Sequence, residues 1–410
     1  MNILVLADGF WPDELGGICK SLLYEIEEFH RSGHQIIILT KRLRKNLPCH
    51  ESKEEYKLFR YFSPARGTAF YHLYPFFTRW QVPRLVSKLH QKFHFDVASI
   101  HNPIQAISFP PIKNLPIIYT FHSPMYQEIE IERQTGKYGV MNLLAKAVVP
   151  YIKKIEKKSL RISSKIVVRS QFMIHEIEKI TQEIEKEKIR CIPLGVDNNL
   201  YAFSDNPQSL RLKLNLPVNK PVFLTVRRLA SRMGLEALIT AMSSIVREFS
   251  EVLLLIGGTG HLEKELKNQV EFLGLTAHVR FLGFVPEEIL PLYYQAADLF
   301  VMPSAYLEGF GLSTIESLSC GTPVIATRVG ANPEILDPLN QSFLCKGTKP
   351  EDLAERIIWF LKNNFRKPRI REDCRIYCEK NFSVRNVADS LEKVFQEAVD
   401  SYSSRWESDG

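Results

Sequence analysis

Two glutamates flank a glycine-containing turn in the stretch EGFGLSTIESLSCGTPVIA, residues 308–326. Glu308 opens the stretch, and Glu316 lies beyond seven intervening residues, inside a segment whose pattern predicts a helix. Glycines before a helix leave its first amides free to face an anion such as phosphate. A carboxylate can accept two hydroxyl hydrogen bonds at once, as acidic residues do with ribose. The pattern indicates a ligand with phosphates and sugar hydroxyls; the alternative is one capping and one surface glutamate.

Two other turns could hold a diphosphate. DGFWPDELGGICKS places Gly16 and Gly17 between a predicted strand and helix, where the backbone can approach a phosphate closely. TVRRLASRMG places Arg227, Arg228 and Arg232 at a similar junction, where arginines can clamp a diphosphate through bidentate hydrogen bonds. Each turn taken alone also fits an ordinary solvated turn.

Weaker signals lie at other strand ends. TFHSP places His122 at the end of a predicted strand, and a lone histidine is more often structural than functional. GFVPEE, which includes Val285, follows another strand and opens a helix. LLIGGTGHLEKEL is a further glycine turn that leads into a helix.

These turns belong to two successive series of alternating strands and helices, which predict parallel sheets with helices on both faces. The predicted strands lie in residues 2–8, 36–40, 96–101, 116–122, 165–170 and 189–197, then 221–226, 252–258, 279–285, 298–304 and 322–327. Ligands of such sheets bind at the carboxyl ends of the strands, so we expect the site in a cleft between the two domains.

The predicted domains are residues 1–200 and 201–382, with a helix over about 383–400 that packs back on the first domain. Val384, Ala388, Leu391 and Phe395 give this helix an apolar stripe after Ser383, a suitable N-cap residue. We expect the tail from residue 401 to be loose.

Composition restricts the class of protein. The 410 residues are 45% hydrophobic and 24% charged, which is typical of a globular chain too long for one core. No apolar run reaches about 18 residues, and the N-terminus reads as a strand without the basic segment of a signal peptide. Seven scattered cysteines suit reduced thiols, although Cys374 and Cys378 could pair on a metal. We therefore expect a cytoplasmic protein.

The positive charge is concentrated in one segment. Residues 41–95 hold twelve Lys or Arg against three Glu, and they include the aromatic run AFYHLYPFFTRW of residues 69–80. This pattern favours docking on an anionic membrane surface, peripherally on the inner face of the plasma membrane. The alternative is a solvated basic face beside buried aromatics. We expect no nucleic-acid partner, because no nucleic-acid module surrounds the segment.

Together these motifs resemble the retaining glycosyltransferases of family 4, which have the two-domain GT-B architecture. The specific signature is the pair Glu308 and Glu316, and it is supported by the early GG, by PLGVD before the interdomain connection, and by RRL and GGTG in the second series. The resemblance covers nearly the whole chain. It implies an α/β fold of GT-B type, with two doubly wound, Rossmann-like domains facing across a cleft.

The resemblance also implies roles for the site residues. Glu308 would contact the transferred sugar, with His122 and Arg228 completing the catalytic set, and Glu316 would bind the ribose. The donor site would be formed by Gly16, Gly17, Arg228, Arg232, Val285, Glu308, Gly309, Phe310, Gly311, Leu312, Ser313 and Glu316. One position departs from the family pattern: Met233 stands where a phosphate-binding lysine is usual, and we expect the neighbouring Arg232 to take its role.

The activity implied is transfer of a sugar from a nucleotide-diphosphate sugar to an acceptor hydroxyl with retention of configuration. The acceptor would be lipid-linked or a saccharide, in synthesis of cell-envelope glycolipid or polysaccharide. We expect no metal or other cofactor, because no D-x-D-like cluster is evident and protein cations can stabilise the leaving diphosphate. Two alternatives remain: a nucleotide-sugar epimerase of the same architecture, and a catalytically weakened nucleotide-sugar-binding protein. A dinucleotide oxidoreductase is disfavoured, since no G-x-G-x-x-G with a downstream acid occurs.

Overall fold

The computed structural model of the chain describes residues 1–407 apart from residues 15, 66–67, 69, 135–141 and 366. The chain divides into two compact units. The first unit comprises residues 1–195 and 384–410, and the second comprises residues 196–383. Each unit is built around one sheet.

The described part of the first unit contains an eight-stranded sheet in the order β3-β4-β2-β1-β5-β6-β7-β8. Its strands are β1 (Asn2–Ala7), β2 (Gln35–Arg42), β3 (His50–Ser52), β4 (Lys57–Phe62), β5 (Val97–Ile100), β6 (Ile117–Phe121), β7 (Lys165–Val168) and β8 (Ile189–Cys191). Neighbouring strands run parallel except β3 and β4, which are antiparallel. The expected parallel sheet is therefore extended by one antiparallel edge strand.

Helices cover both faces of this sheet. They are α1 (Gly17–Arg31), α2 (Tyr74–Phe93), α3 (Pro103–Ser108), α4 (Met125–Gln134), α5 (Asn142–Ile162), α6 (Gln171–Ile180) and, from the end of the chain, α15 (Val384–Glu407). Side chains alternate across the strands, so Leu4 and Leu6 enter one buried cluster while Ile3 and Val5 enter another.

The C-terminal helix α15 packs on the first unit. Leu391 and Phe395 join the buried cluster that contains Ile3, and the Phe395 ring lies 5.4 Å from that of Phe29. The helix continues to Glu407, so the expectation of a loose tail from residue 401 was wrong for residues 401–407. Helical hydrogen bonding extends past Ala398, a buried residue of this helix. Residues 408–410 lie outside the described residues.

The described part of the second unit has a five-stranded sheet in the order β11-β10-β9-β12-β13, with every pair parallel. The strands are β9 (Val222–Val226), β10 (Leu253–Gly257), β11 (Val279–Gly283), β12 (Leu299–Met302) and β13 (Val324–Ala326). The helices are α7 (Pro207–Lys213), α8 (Leu235–Glu248), α9 (Glu263–Phe272), α10 (Leu290–Ala296), α11 (Leu312–Ser319), α12 (Asn332–Asn340), α13 (Pro350–Asn363) and α14 (Pro368–Phe382). This is the doubly wound arrangement that the sequence predicts.

Candidate active site

The carboxyl ends of three adjacent strands define the site of the second unit. β9 lies between β10 and β12. The chain first adds β10 and β11 on one side of β9 and then crosses over to add β12 and β13 on the other side. Such a switch point is where open α/β sheets bind their ligands. Arg227 follows β9, Gly258 follows β10 and Ser304 closely follows β12. A Cβ on Gly258 would lie 1.9 Å from the carbonyl oxygen of Arg227, so the two turns touch through backbone.

Helix α11 begins at this edge with a left-handed residue. Gly311 caps the helix at φ 99°, and a Cβ there would lie 3.3 Å from Thr314 Oγ1 and 3.4 Å from Met302 Cε. Glycine is the residue that accepts this conformation and this space. The amides of the first turn, those of Leu312 and Ser313, have no carbonyl four residues earlier within the helix. They lie where the sequence predicts an anion-binding helix end.

Phe310 supports the turn through its side chain. It is buried, and its ring packs edge-on against Phe382 at 5.8 Å. The backbone of Gly309 and Phe310 therefore leads directly into the start of α11.

Glu316 lies one turn into α11 and is 3% exposed. Its Oε2 accepts a hydrogen bond from the Tyr294 hydroxyl at 2.9 Å. Burial, and then the nearby Glu316 carboxylate, raise the pKa of Tyr294 well above its usual value, so the hydroxyl stays protonated and donates. A buried carboxylate oriented by a tyrosine can accept hydroxyl hydrogen bonds from a ligand.

Glu308 is fixed by an arginine and a serine. Arg227 Nη2 donates to Glu308 Oε2, Ser304 Oγ donates to the same oxygen at 2.7 Å, and Arg227 Nη1 donates to Ser304 Oγ at 2.6 Å. Burial acts to raise the pKa of Glu308, but the Arg227 charge and these hydrogen bonds outweigh it, so the pKa is lowered. Glu308 is therefore ionised at neutral pH.

The backbone of Glu308 is held as firmly as its side chain. Its carbonyl accepts from the Ala331 amide at 2.9 Å. Gly330 has φ 59°, and a Cβ there would lie 2.0 Å from the Glu308 carbonyl oxygen. The loop after β13 thus approaches the glutamate more closely than any side chain would allow.

The other predicted donor-binding residues occupy different environments. Arg228 is exposed, whereas Arg232 is half-buried and donates to the Leu307 carbonyl at 3.1 Å. Met233, at the position of the family's lysine, is buried. Val285 is also buried, and its Cγ2 would lie 3.1 Å from a Cβ on Gly257.

In the first unit, His122 follows β6 and pairs with a second histidine. His101, which follows the neighbouring strand β5, places Nδ1 3.0 Å from His122 Nε2, and the rings are stacked. His101 Nε2 also lies 3.1 Å from Ser99 Oγ. Burial lowers the pKa of His101 to about 3, and burial followed by the His101 charge lowers that of His122, so both rings are neutral at pH 7.

Two ion pairs lie at the same edge of this sheet, and the sequence reasoning missed them together with His101. Arg169, after β7, donates to Glu25 at 2.7 Å. Lys41, near the end of β2, lies 2.8 Å from Asp8, which follows β1. The rule that strand ends carry function would have identified His101, Arg169 and Asp8, because each lies at the carboxyl end of a predicted strand.

The early glycines start helix α1. Gly16 is its N-cap and Gly17 its first residue, and a Cβ on Gly16 would meet nothing within 4 Å. Packing within the first unit therefore does not require glycine at position 16.

The described residues contain neither a metal-ligand cluster nor a membrane-spanning helix. No group of three or more His, Cys, Asp or Glu in this part of the chain could hold a metal ion, and Cys374 and Cys378 are buried free thiols. No helix in the same part is long and apolar enough to span a bilayer.

Two family models match consecutive parts of the chain. The model described as Glycosyltransferase Family 4 matches residues 15–200, and that described as Glycosyl transferases group 1 matches residues 208–380. The chain belongs to glycosyltransferase family 4. This confirms the resemblance that the two glutamates and the glycine turns suggest.

Relatives of this family 4 glycosyltransferase align over different lengths. A D-inositol 3-phosphate glycosyltransferase of Corynebacterium jeikeium is 30% identical over 51% of this chain and 52% of its own length, so the chain spans about half of that relative. An alpha-monoglucosyldiacylglycerol synthase of Streptococcus pneumoniae is 24% identical over 80% of this chain and 71% of its own length.

The fold of the family 4 glycosyltransferase is also that of a solved structure. The sucrose-phosphate synthase from Thermosynechococcus elongatus superposes with a TM-score of 0.80 at 21% identity, over 98% of this chain and 99% of that chain. The predicted GT-B fold class, with two Rossmann-like units, is confirmed.

Proposed function

We propose that this chain transfers a glycosyl group from a nucleotide-diphosphate sugar to an acceptor hydroxyl, with retention of anomeric configuration. One observation carries the proposal: the start of α11, with amides that have no helical partner, lies beside two carboxylates of low exposure, Glu308 and Glu316. In this proposal the amides donate hydrogen bonds to the diphosphate, Glu316 accepts hydrogen bonds from the ribose, and Glu308 accepts them from the transferred sugar.

In the proposed reaction the bond between the anomeric carbon and the diphosphate oxygen breaks, and a bond to the acceptor oxygen forms on the same face. The proton of the acceptor hydroxyl passes to the departing phosphate oxygen. Negative charge grows on the diphosphate, so the fixed amides of Leu312 and Ser313 and the cations Arg228 and Arg232 stabilise the transition state more than the ground state. We propose that these groups act without a metal cofactor.

The donor can be identified by binding. Thermal shift of the full chain against UDP-, GDP- and ADP-hexoses tests the proposal, and we expect one base to raise the melting temperature above the others. The absence of a melting-temperature increase with any of these hexose conjugates would contradict the proposed function. The relatives reported above give no support to an epimerase, which would consume donor in the absence of an acceptor.

We also propose that the first unit docks on an anionic bilayer that carries the acceptor. Exposed aromatic side chains of α2, Phe76 at 68% and Trp80 at 55%, share an open depression of about 480 Å³ with Tyr151 of α5. The exposed apolar residues of these two helices and the turn before them include Phe70, Leu73, Phe76, Trp80, Leu143, Leu144, Val148 and Tyr151.

Charge on the same helices favours an anionic surface. Helix α5 contains six Lys or Arg and one Glu, and Arg84 lies over the Trp80 ring at 4.9 Å. Apolar side chains that insert beside basic ones are typical of peripheral membrane helices. A lipid-linked acceptor would then be presented where the enzyme is bound.

Vesicle co-sedimentation tests this docking. We expect binding to vesicles with anionic lipid, loss of binding in a Phe76→Ser/Trp80→Ser variant, and retention in the control Phe272→Ser, whose side chain is 89% exposed in the second unit. Equal binding to neutral and anionic vesicles, or none to either, contradicts the proposal.

A further inference from the structure

The two carboxylate oxygens of Glu308 have different surroundings, because the hydrogen bonds from Arg227 and Ser304 go to only one of them. Oε2 accepts both hydrogen bonds, one from Arg227 Nη2 and one from Ser304 Oγ. Oε1 has no hydrogen-bond partner among the residues that the structure describes. One oxygen is therefore anchored and the other remains available to a ligand.

The Arg227 side chain is even less exposed than the carboxylate it holds. It is 6% exposed and that of Glu308 is 12% exposed. Beyond its bonds to Glu308 and Ser304, its guanidinium makes no hydrogen bond within the described part of the chain. Three of its five N–H groups thus remain available in a site where solvent has little access.

Arg228, the next residue in the sequence, differs from Arg227 in exposure. Arg228 is exposed, so the two adjacent arginines of the turn after β9 have different surroundings. The Arg227 backbone amide donates a hydrogen bond to the Gly257 carbonyl at 2.9 Å, which fixes the turn from which the guanidinium reaches Glu308.

We propose that Arg227 is a positioning residue for Glu308: with Ser304 it anchors Oε2, so that Oε1 is presented as an ionised acceptor to a hydroxyl of the donor sugar. The proposal rests on the proposed glycosyl transfer. It assigns Arg227 to the sugar end of the donor, whereas Arg228 and Arg232 are assigned to the diphosphate. Besides Arg227, the charged group that acts on the Glu308 carboxylate is Arg232.

A positioning role predicts three effects that a general structural role does not. Loss of Arg227 should act on the sugar and not on the nucleotide, because the pair lies at the sugar end. It should act only while Glu308 is present to be positioned. It should also shift the pH dependence of activity, because burial raises the pKa of Glu308 once its cation is gone.

The experiment uses the full chain and the hexose conjugate of UDP, GDP or ADP that stabilises the wild type most, together with the matching nucleoside diphosphate. In Arg227→Met we expect affinity for the nucleoside diphosphate within about twofold of wild type, and kcat for donor turnover lower by about tenfold or more. We expect the acid limb of its pH profile to lie at higher pH. Arg227→Lys, which keeps the charge, should restore part of kcat and return the acid limb toward that of wild type.

A double-mutant cycle separates positioning from folding. If Arg227 acts through Glu308, adding Arg227→Met to a Glu308→Gln variant lowers kcat by about twofold or less relative to Glu308→Gln alone. The Arg227→Met/Glu308→Gln variant also removes both buried charges, so it keeps the cycle measurable if Arg227→Met alone folds poorly.

Each of the following results overturns the assignment. Equal loss of affinity for the nucleoside diphosphate and for its hexose conjugate would show that Arg227 binds phosphate. An unchanged pH profile, or additive effects in the cycle, would show that it does not act through Glu308. If the wild type binds none of the nucleotides or conjugates, the proposed function fails and this assignment fails with it; binding by wild type with unchanged Arg227→Met kinetics refutes the assignment alone.

Discussion

Replacing Glu316 by glutamine removes one charge and keeps the shape of the site. Glu316 is 3% exposed, and its Oε2 accepts from the Tyr294 hydroxyl at 2.9 Å. Glutamine can accept the same hydrogen bond through its carbonyl oxygen. We therefore expect the fold to survive, with the change confined to the proposed ribose contact.

The magnitude follows from the hydrogen bonds lost. The amide nitrogen of glutamine cannot accept, and the remaining oxygen is uncharged. A hydrogen bond to a charged group contributes about 1.5–3 kcal/mol. Since about 1.4 kcal/mol corresponds to a tenfold change in affinity, the loss of one such bond raises Kd by roughly 10- to 100-fold.

Isothermal titration calorimetry with the nucleoside diphosphate measures this effect, because the ribose is part of the nucleotide. Tyr294→Phe is the control: it removes one buried hydrogen bond, which costs about 1 kcal/mol of stability, but it keeps the carboxylate. We expect it to lower the melting temperature and to weaken binding less than Glu316→Gln does. An unchanged nucleotide affinity in a folded Glu316→Gln variant would refute the assignment of Glu316 to the ribose.

The remaining predictions concern stability and are tested by melting curves. His101 is neutral in the fold, with its pKa lowered to about 3, so stability is lost as pH falls below about 6.5, the pKa of an unfolded histidine. Between neutrality and pH 5 this loss amounts to about 2 kcal/mol, and His101→Gln should remove it. An unchanged pH dependence in this variant contradicts the prediction. Burial raises the pKa of Glu156 to about 8, so its contribution is lost as pH rises toward and through that value, and Glu156→Gln should flatten the fall in melting temperature between pH 5 and pH 9. Gly330→Ala places a Cβ 2.0 Å from a backbone carbonyl oxygen at φ 59°, whereas Gly274→Ala at φ 67° meets nothing within 4 Å. We expect Gly330→Ala to lower the melting temperature clearly more than Gly274→Ala does, and equal effects of the two substitutions would contradict the close approach.

The fold was predictable because its central strands are continuous apolar runs separated by amphipathic helices. The edge of the first sheet was not. Strand β3 is His50–Ser52 and contains no apolar side chain, so it has no hydrophobic period to recognise. The antiparallel pair β3 and β4 forms through backbone hydrogen bonds at a sheet edge, which composition does not reveal.

In the site, sequence spacing identified the helix start and both glutamates, but not the partners of those glutamates. Arg227 was one of three arginines in a single turn, and the direction of its side chain depends on the backbone of the turns after β9 and β10. The pair His101 and His122 depends on strand order, because β5 and β6 are neighbours in the sheet. Contacts of this kind follow from tertiary packing, which strand and helix periodicity does not specify.

The most direct test of the central claim is nuclear magnetic resonance of the full chain incubated with α-linked UDP-, GDP- and ADP-hexoses, with water as the acceptor and with the anomeric signals of the donor and the released sugar followed from the earliest times. Glycosyl transfer with retention predicts that one donor is consumed, that nucleoside diphosphate and free sugar accumulate in equal amounts rather than an isomeric nucleotide-sugar, and that the first free sugar is the α-anomer, with Glu316→Gln slowing all three. No consumption of any donor, or a first product with the β configuration, would contradict it.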